Sequence, residues 1–423
     1  MYGFSEIITA GFALFAMLFG AGNLIFPPIL GYELGNNWSV AAFSFILTGV
    51  GLPLLGLISI AVTGKSIHNF ADEVSPIFSK LFAIVLILSI GPLLALPRTG
   101  ATAYEVTFFH AGYTSPILKY IYLAIYFLIA LFFSLKSSEV VDRIGKILTP
   151  ILLIVLSIIL IKGVFFNDLK IIEKTFELPF KKGFIEGYQT LDALAVIAFS
   201  GVILGSLRNG RELTKKQEFS YLIKVGLIAT AGLAFVYMGL TYIGATFGEF
   251  GLAAGAERTD LLVKISSTLL GKIGYIILAI CVAGACLTTA IGLIVSTSEY
   301  FSKLLNISYQ KLVIFTTVWA YIIAIFGVNW IVMLSVPILI FLYPMSIALI
   351  FLNLFNIKNK NTFRGVVLAS GIIGFYEALG VAGITLPQQI ENIYNKLPFS
   401  NLGLAWLVPV LIAGIVCSMK REK

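Results

Sequence analysis

Charge is scarce in this chain: only 12% of its 423 residues are Asp, Glu, Lys or Arg. Soluble domains carry about 25% charged residues, so the deficit excludes an ordinary water-facing globule. The 59% hydrophobic content and mean hydropathy of +0.98 point to the bilayer as solvent for most of the chain. Histidine is nearly missing. His68 and His110 both fall near expected helix ends, which gives no support to a histidine proton relay at depth. The cysteines, Cys281, Cys286 and Cys417, all lie in apolar runs, as small core residues do, and not in a disulfide framework or metal site. Clustered carboxylates are absent too, so neither an enzyme nor a bound cofactor is expected. The net charge of +8 comes from residues scattered at the ends of apolar runs, without the aromatic-interleaved stripe that nucleic acid requires. Finally, Met1 to Glu6 has no positive n-region and no cleavage site follows, so the first helix is expected to stay in the mature protein.

What the chain does have is apolar runs long enough to span a bilayer, at about twelve places. They include Ile7 to Leu34, Leu81 to Tyr104, Tyr188 to Leu207 and Ile273 to Phe301. Lysine and arginine concentrate in the even-numbered connections, among them Lys65 and Lys80, Arg208 and Arg211, Lys303 and Lys311, and Lys358, Lys360 and Arg364. By the positive-inside rule those connections are cytoplasmic and so are both termini. Lys170, Lys174, Lys181 and Lys182 run against the bias in a longer odd-numbered stretch.

Several spans contain residues that an uninterrupted membrane helix avoids. In the first, Gly20-Ala21-Gly22-Asn23 places two glycines and an amide at a depth where hydrocarbon satisfies neither. One explanation is a discontinuous helix, whose second half aims free N–H groups at an anion while the first half's exposed carbonyls attract a cation. The other is that small residues simply let two helices approach. The sixth span opens on Gly187 to Ala195, with Asp192 near its start. If spans one to five form a repeat, spans six to ten are its inverted copy and the two irregular helices are equivalent. Asp192 is then either a site carboxylate or a helix-terminal residue offsetting the dipole. In the eighth span Ala285, Thr288 and Thr289 share one helical turn, so two hydroxyls and a carbonyl face one side, a shell suited to sodium. Back-bonding of both hydroxyls to the preceding turn is the alternative. Arg98 either snorkels to the outer interface or lines a vestibule as a possible gate, and Glu105 is too far along the helix to pair with it directly. Pro337 and Pro344 mark a kinkable tenth span.

LFGAGNLIFPP at Leu18 to Pro28, IGPLLALPRT at Ile90 to Thr99, GYQTLDALA at Gly187 to Ala195 and ACLTTAIGL at Ala285 to Leu293 together resemble the branched-chain amino acid:cation symporters, and the resemblance runs along the whole chain. It implies an all-α, LeuT-like polytopic fold: a five-helix repeat over residues 1–166, its inverted copy over 167–356, and two peripheral helices over 357–423. It implies uptake of leucine, isoleucine and valine driven by sodium across the plasma membrane, by alternating access and with no obligate protein partner. By position, the resemblance puts the substrate carboxylate at the amides of Ala21 and Gly22 beside Gly20. It puts sodium among the carbonyls of Ala16, Phe19 and Ala285 and the hydroxyls of Thr288 and Thr289. Asn23 and Thr190 match positions that complete a second sodium site in some relatives of the superfamily. Asp192 departs from the small polar residue found there and is a candidate for the substrate ammonium instead. Ala193 leaves room for an aliphatic side chain. Proton coupling, or another small neutral amino acid, is the rival reading. A channel would need a continuous polar pore lining, which the clustered polar residues do not make.

Overall fold

The computed structural model describes residues 3–109, 115–135, 139–166, 169–174, 176–198, 214–252, 257–384 and 387–419. Its regular structure, among those residues, is entirely helical. Helix α1 is Phe4–Leu18 and α2 is Ala21–Leu34; α3 (Trp38–Ile46) and α4 (Leu52–Thr63) are joined by a π-helical turn. After α5 (Pro76–Leu88) and α6 (Ala95–Tyr104) come α7 (Pro116–Leu135) and α8 (Glu139–Phe165). The second half contains α9 (Pro179–Tyr188), α10 (Asp192–Ala198), α11 (Lys215–Thr246), α12 (Arg258–Leu305), α13 (Tyr309–Ala324) and α14 (Val328–Leu354). The chain closes with α15 (Lys360–Val381), α16 (Gln388–Asn395) and α17 (Leu407–Ser418).

Among the described residues, seven helical stretches are long and apolar enough to cross a membrane, and four further apolar helices are shorter. The expected twelve are not reproduced one for one, because irregular backbone splits or merges several runs. The sixth span begins at Pro179, not Tyr188, and is cut in two after Tyr188. The stretch expected as a loop before the eighth span holds a helix over 258–270, separated from the rest of α12 by Gly271 at φ 69°. Its start is capped by the Asp260 carboxylate, which accepts from the Glu257 N–H at 3.0 Å. Pro337 and Pro344 lie inside α14 without interrupting it. Leu207, Arg208, Arg211 and His110 lie outside the described residues.

The bundle is arranged around α2, in which every residue except Tyr32 and Glu33 is buried. A helix apolar all round belongs inside other helices. It packs most extensively on α11. The contact is backbone to backbone: a Cβ at Gly31 would overlap the Thr241 carbonyl, and one at Gly244 would overlap the Pro28 carbonyl. Small-residue close approach therefore does operate in this helix, but a full turn or more beyond the GAGN segment. Peripheral helices show the opposite pattern. Along α7, Leu123, Phe127 and Ala130 are buried while Ile121, Ile125 and Leu128 are exposed, so both faces are apolar and the outer one suits lipid.

Replacing Gly31 with valine should push α2 off α11 and lower the apparent melting temperature of the detergent-purified protein, a cost of at least ~1–3 kcal/mol. The same change at Gly380, which has open space around it, should leave melting almost unmoved.

Candidate functional site

The chain leaves helical geometry at Phe19 and Gly20, where ψ is 99° and −168°. The break falls at the front edge of the expected segment, and Ala21 to Asn23 form the first turn of α2. Asn23 explains the placement. Its side-chain Oδ1 accepts from the Gly20 N–H at 3.1 Å, so this N–H caps α2 instead of reaching back to the Ala16 carbonyl four residues earlier. Two sets of peptide groups are thereby released: carbonyls at the end of α1 and the amides of Ala21 and Gly22 at the start of α2. Helix dipoles add partial negative charge to the first set and partial positive charge to the second.

The second interruption faces the first. Between α9 and α10, Leu191 adopts a left-handed φ of 65° and Gln189 and Thr190 form a turn. A non-glycine residue in this region costs about 1–3 kcal/mol and persists only where surroundings enforce it. Asp192 begins α10 and is buried. It is in the first turn of a half-helix, where a carboxylate offsets the dipole, but that turn is deep in the bundle and not at an interface. Its Oδ2 accepts from Asn23 Nδ2 at 2.8 Å and from the Tyr237 hydroxyl at 3.1 Å; the Asn23 amide also contacts the Tyr237 oxygen. Thr190 donates to the Gly187 carbonyl at 3.0 Å and accepts weakly from the Asp192 N–H at 3.4 Å. Ala193 is buried behind Asp192. One amide–carboxylate–phenol cluster thus ties both breaks together.

Thr289 lies against the first break, its methyl 3.9 Å from where a Cβ on Gly20 would stand. Both Thr288 and Thr289 donate to the Ala285 carbonyl at 2.9 Å, the back-bonding arrangement. Donation leaves hydroxyl lone pairs available, so back-bonding and cation coordination are compatible. Ala16, Gly20, Ala285, Thr288 and Thr289 are half-buried, whereas Phe19, Ala21, Gly22, Asn23 and Asp192 are buried.

Arg98 is not at an interface: its residue is 3% exposed. The third span is itself irregular just before it, with Gly91 non-helical and Leu94 at φ −126°, ψ −67°. This offset carries Arg98 into the centre, where its guanidinium lies 5.2 Å from the Phe26 ring centroid. A chain of charge pairs adjoins it through the same ring. Arg258 sits 5.5 Å over the same ring and meets Glu186 at 3.4 Å, and Lys182 bridges Glu186 at 3.3 Å and Glu33 at 2.9 Å. Glu105 does not pair with Arg98. Its carboxylate accepts from Thr259 Oγ1 at 2.8 Å and from the Val328 N–H at 2.9 Å, joining the third span to the starts of α12 and α14. Tyr237, Arg258 and Glu186 were not singled out in the sequence. Tyr237 lies in an apolar run where an aromatic reads as packing, and the other two lie in stretches that read as connections.

Comparison with known proteins matches residues 4–423 to the family described as "Branched-chain amino acid transport protein". The chain belongs to that family. It is 38% identical to a branched-chain amino acid permease, BraB, of Bacillus subtilis, over 97% of this chain and 94% of the relative. It is 36% identical to the branched-chain amino acid transport system 2 carrier protein of Pseudomonas aeruginosa, over 97% and 96%. These relatives are named as permeases and carriers, so the family is one of membrane transporters and not of enzymes. Among solved structures the chain is similar to inward-facing Mhp1, with a TM-score of 0.64 at 13% identity, covering 97% of this chain and 90% of that one. A Na+-coupled sialic acid symporter, in a substrate-bound outward-open state, gives a TM-score of 0.59 at 16% identity, covering 98% and 90%. The family's fold here is LeuT-like.

Because Asn23, Asp192 and Tyr237 act as one cluster, their losses should not add. Tyr237→Phe and Asn23→Ala each leave Asp192 short of a buried partner, at about 1–3 kcal/mol apiece. Melting of the two single variants and the double variant should return a coupling of at least ~0.5 kcal/mol, against additive losses for unlinked residues.

Proposed function

We propose that this protein imports leucine, isoleucine and valine across the plasma membrane by sodium symport, through alternating access. Residues 1–166 and 167–356 act as inverted halves, 357–423 form a peripheral pair, and both termini are cytoplasmic. The observation that carries this reading is the meeting of two broken helices, one ending in bare carbonyls and restarting in bare amides, joined through Asn23 and Asp192. Peptide dipoles exposed in this way suit a zwitterion and a monovalent cation together. The relatives' names supply the class of amino acid, and the buried Ala193 presents the small side chain that an aliphatic substrate needs beside it.

In this reading the amides of Ala21 and Gly22, flanked by Gly20, face the substrate carboxylate. Thr190, Asp192 and Ala193 border the opposite side, with Asp192 toward the ammonium. Sodium is bound by the carbonyls of Ala16, Phe19 and Ala285 and the hydroxyls of Thr288 and Thr289. These ligands span α1 and α12, so the ion draws the two helices together. Sodium and substrate each favour the same arrangement of the break, and each therefore raises affinity for the other by a coupling of about 1–3 kcal/mol. Opening at the far end requires parting of the Arg258–Glu186 and Lys182–Glu33 pairs.

Radiolabelled leucine uptake into proteoliposomes should collapse when sodium is replaced by choline at fixed pH, and a pH gradient alone should not restore it. A response to the pH gradient without sodium would favour the proton-coupled alternative. The combined change Thr288→Ala with Thr289→Val should raise the half-saturating sodium concentration about tenfold, the equivalent of one lost charge-assisted contact. An unchanged sodium requirement would remove those hydroxyls from the site.

A further inference from the structure

Arg98 lies within electrostatic reach of the Asp192 carboxylate, yet among the described residues its guanidinium is incompletely satisfied. Its Nε and Nη1 are buried and have no hydrogen-bond partner, although a guanidinium carries five donors and keeps its charge at any physiological pH. A buried group of this kind is retained where something else completes it. Its position indicates what that is. A Cβ on Gly22 would stand 2.9 Å from Arg98 Nη2 and 3.2 Å from Cζ, so the guanidinium lies directly against the first turn of α2, and only glycine permits that approach. The same turn presents the peptide amides released by the break at Phe19 and Gly20. One residue further along, Asn23 holds the Asp192 carboxylate at 2.8 Å. The half-helix start is therefore flanked by a guanidinium at Gly22 and by a carboxylate at Asn23.

We propose that Arg98 is a substrate-binding residue whose guanidinium, together with the α2 amides, holds the substrate's carboxylate. This assignment rests on the amino acid transport reading and replaces a remote gating role with direct contact. Guanidinium and carboxylate match in shape and form charge-assisted pairs, whereas main-chain amides alone supply only partial charge. An Arg98 that binds substrate also demands a free carboxylate, so the ligand class narrows to α-amino acids and related α-substituted carboxylates, excluding their amides and alcohols.

The test is equilibrium binding of leucine and of leucinamide, which lacks the negative carboxylate, to full-length protein in lipid nanodiscs with sodium present. Wild type should prefer leucine over leucinamide by about 10- to 100-fold, the range for a charged hydrogen bond. Arg98→Gln should lose most of that preference while keeping its leucinamide affinity, and Arg98→Lys should fall between. A merely structural role would weaken both ligands alike and leave their ratio intact, which would overturn the proposal. Should Arg98→Gln fail to fold, Gly22→Ala supplies the second variant: its Cβ displaces the guanidinium, and the leucine-to-leucinamide ratio should shrink in the same direction. An unchanged ratio there would likewise overturn it. If wild type binds leucine but Arg98→Gln binds it equally well, Arg98 is not the anchor. If wild type binds none of the three branched-chain amino acids, the transport reading itself fails, and the assignment fails with it.

Discussion

Peptide groups that leave a helix within a bilayer must find partners inside the protein, and this structure depends on how that demand is met at Phe19 and Gly20. An unpaired peptide group in hydrocarbon costs several kcal/mol. Asn23 answers part of the demand by accepting from the Gly20 N–H. Its amide nitrogen then needs acceptors of its own, and the second broken helix provides one in Asp192, itself supported by Tyr237. A local backbone problem in the first span is thus resolved only by a residue some 169 positions away, which makes the two breaks a single unit.

The surrounding bundle keeps that unit in place. α2 is enclosed by protein nearly all round and locked against α11 by backbone contacts that only glycine allows. The third span bends at Gly91 and Leu94, bringing Arg98 to the same turn. Both Arg98 and Arg258 lie within about 5.5 Å of the Phe26 ring centroid, and Arg258 continues into the Glu186, Lys182 and Glu33 pairs. Cation–π contacts of this kind are worth about 0.5–2 kcal/mol each.

Much of this was legible in the sequence where composition conflicts with environment. Two glycines and an asparagine inside an apolar run, or an aspartate among alanines, are costly enough to demand an explanation, and both positions proved to be breaks. The threonines at 288 and 289 were legible as a pair on one helical turn, but their hydrogen bonds to Ala285 were equally compatible with the plainer alternative. Tertiary partnership was not legible. Tyr237 looks like any core aromatic until its hydroxyl is seen on Asp192. Arg98, read from helical rise alone, lay toward the outer end, at the interface or along a vestibule; the bend before it brings it against the first turn of α2. Pro179 to Glu186 reads as a charged connection because Lys181 and Lys182 interrupt it, yet it forms half of a span whose charges pair with Glu33 and Arg258.

The most direct measurement is a cryo-electron microscopy reconstruction of the full chain in nanodiscs with leucine and sodium. Density for the amino acid is expected against the first turn of α2, between the breaks at residues 19–20 and 189–191, with the Asn23–Asp192 contact intact. A continuous helix through Gly20, or leucine bound away from both breaks, would contradict the account.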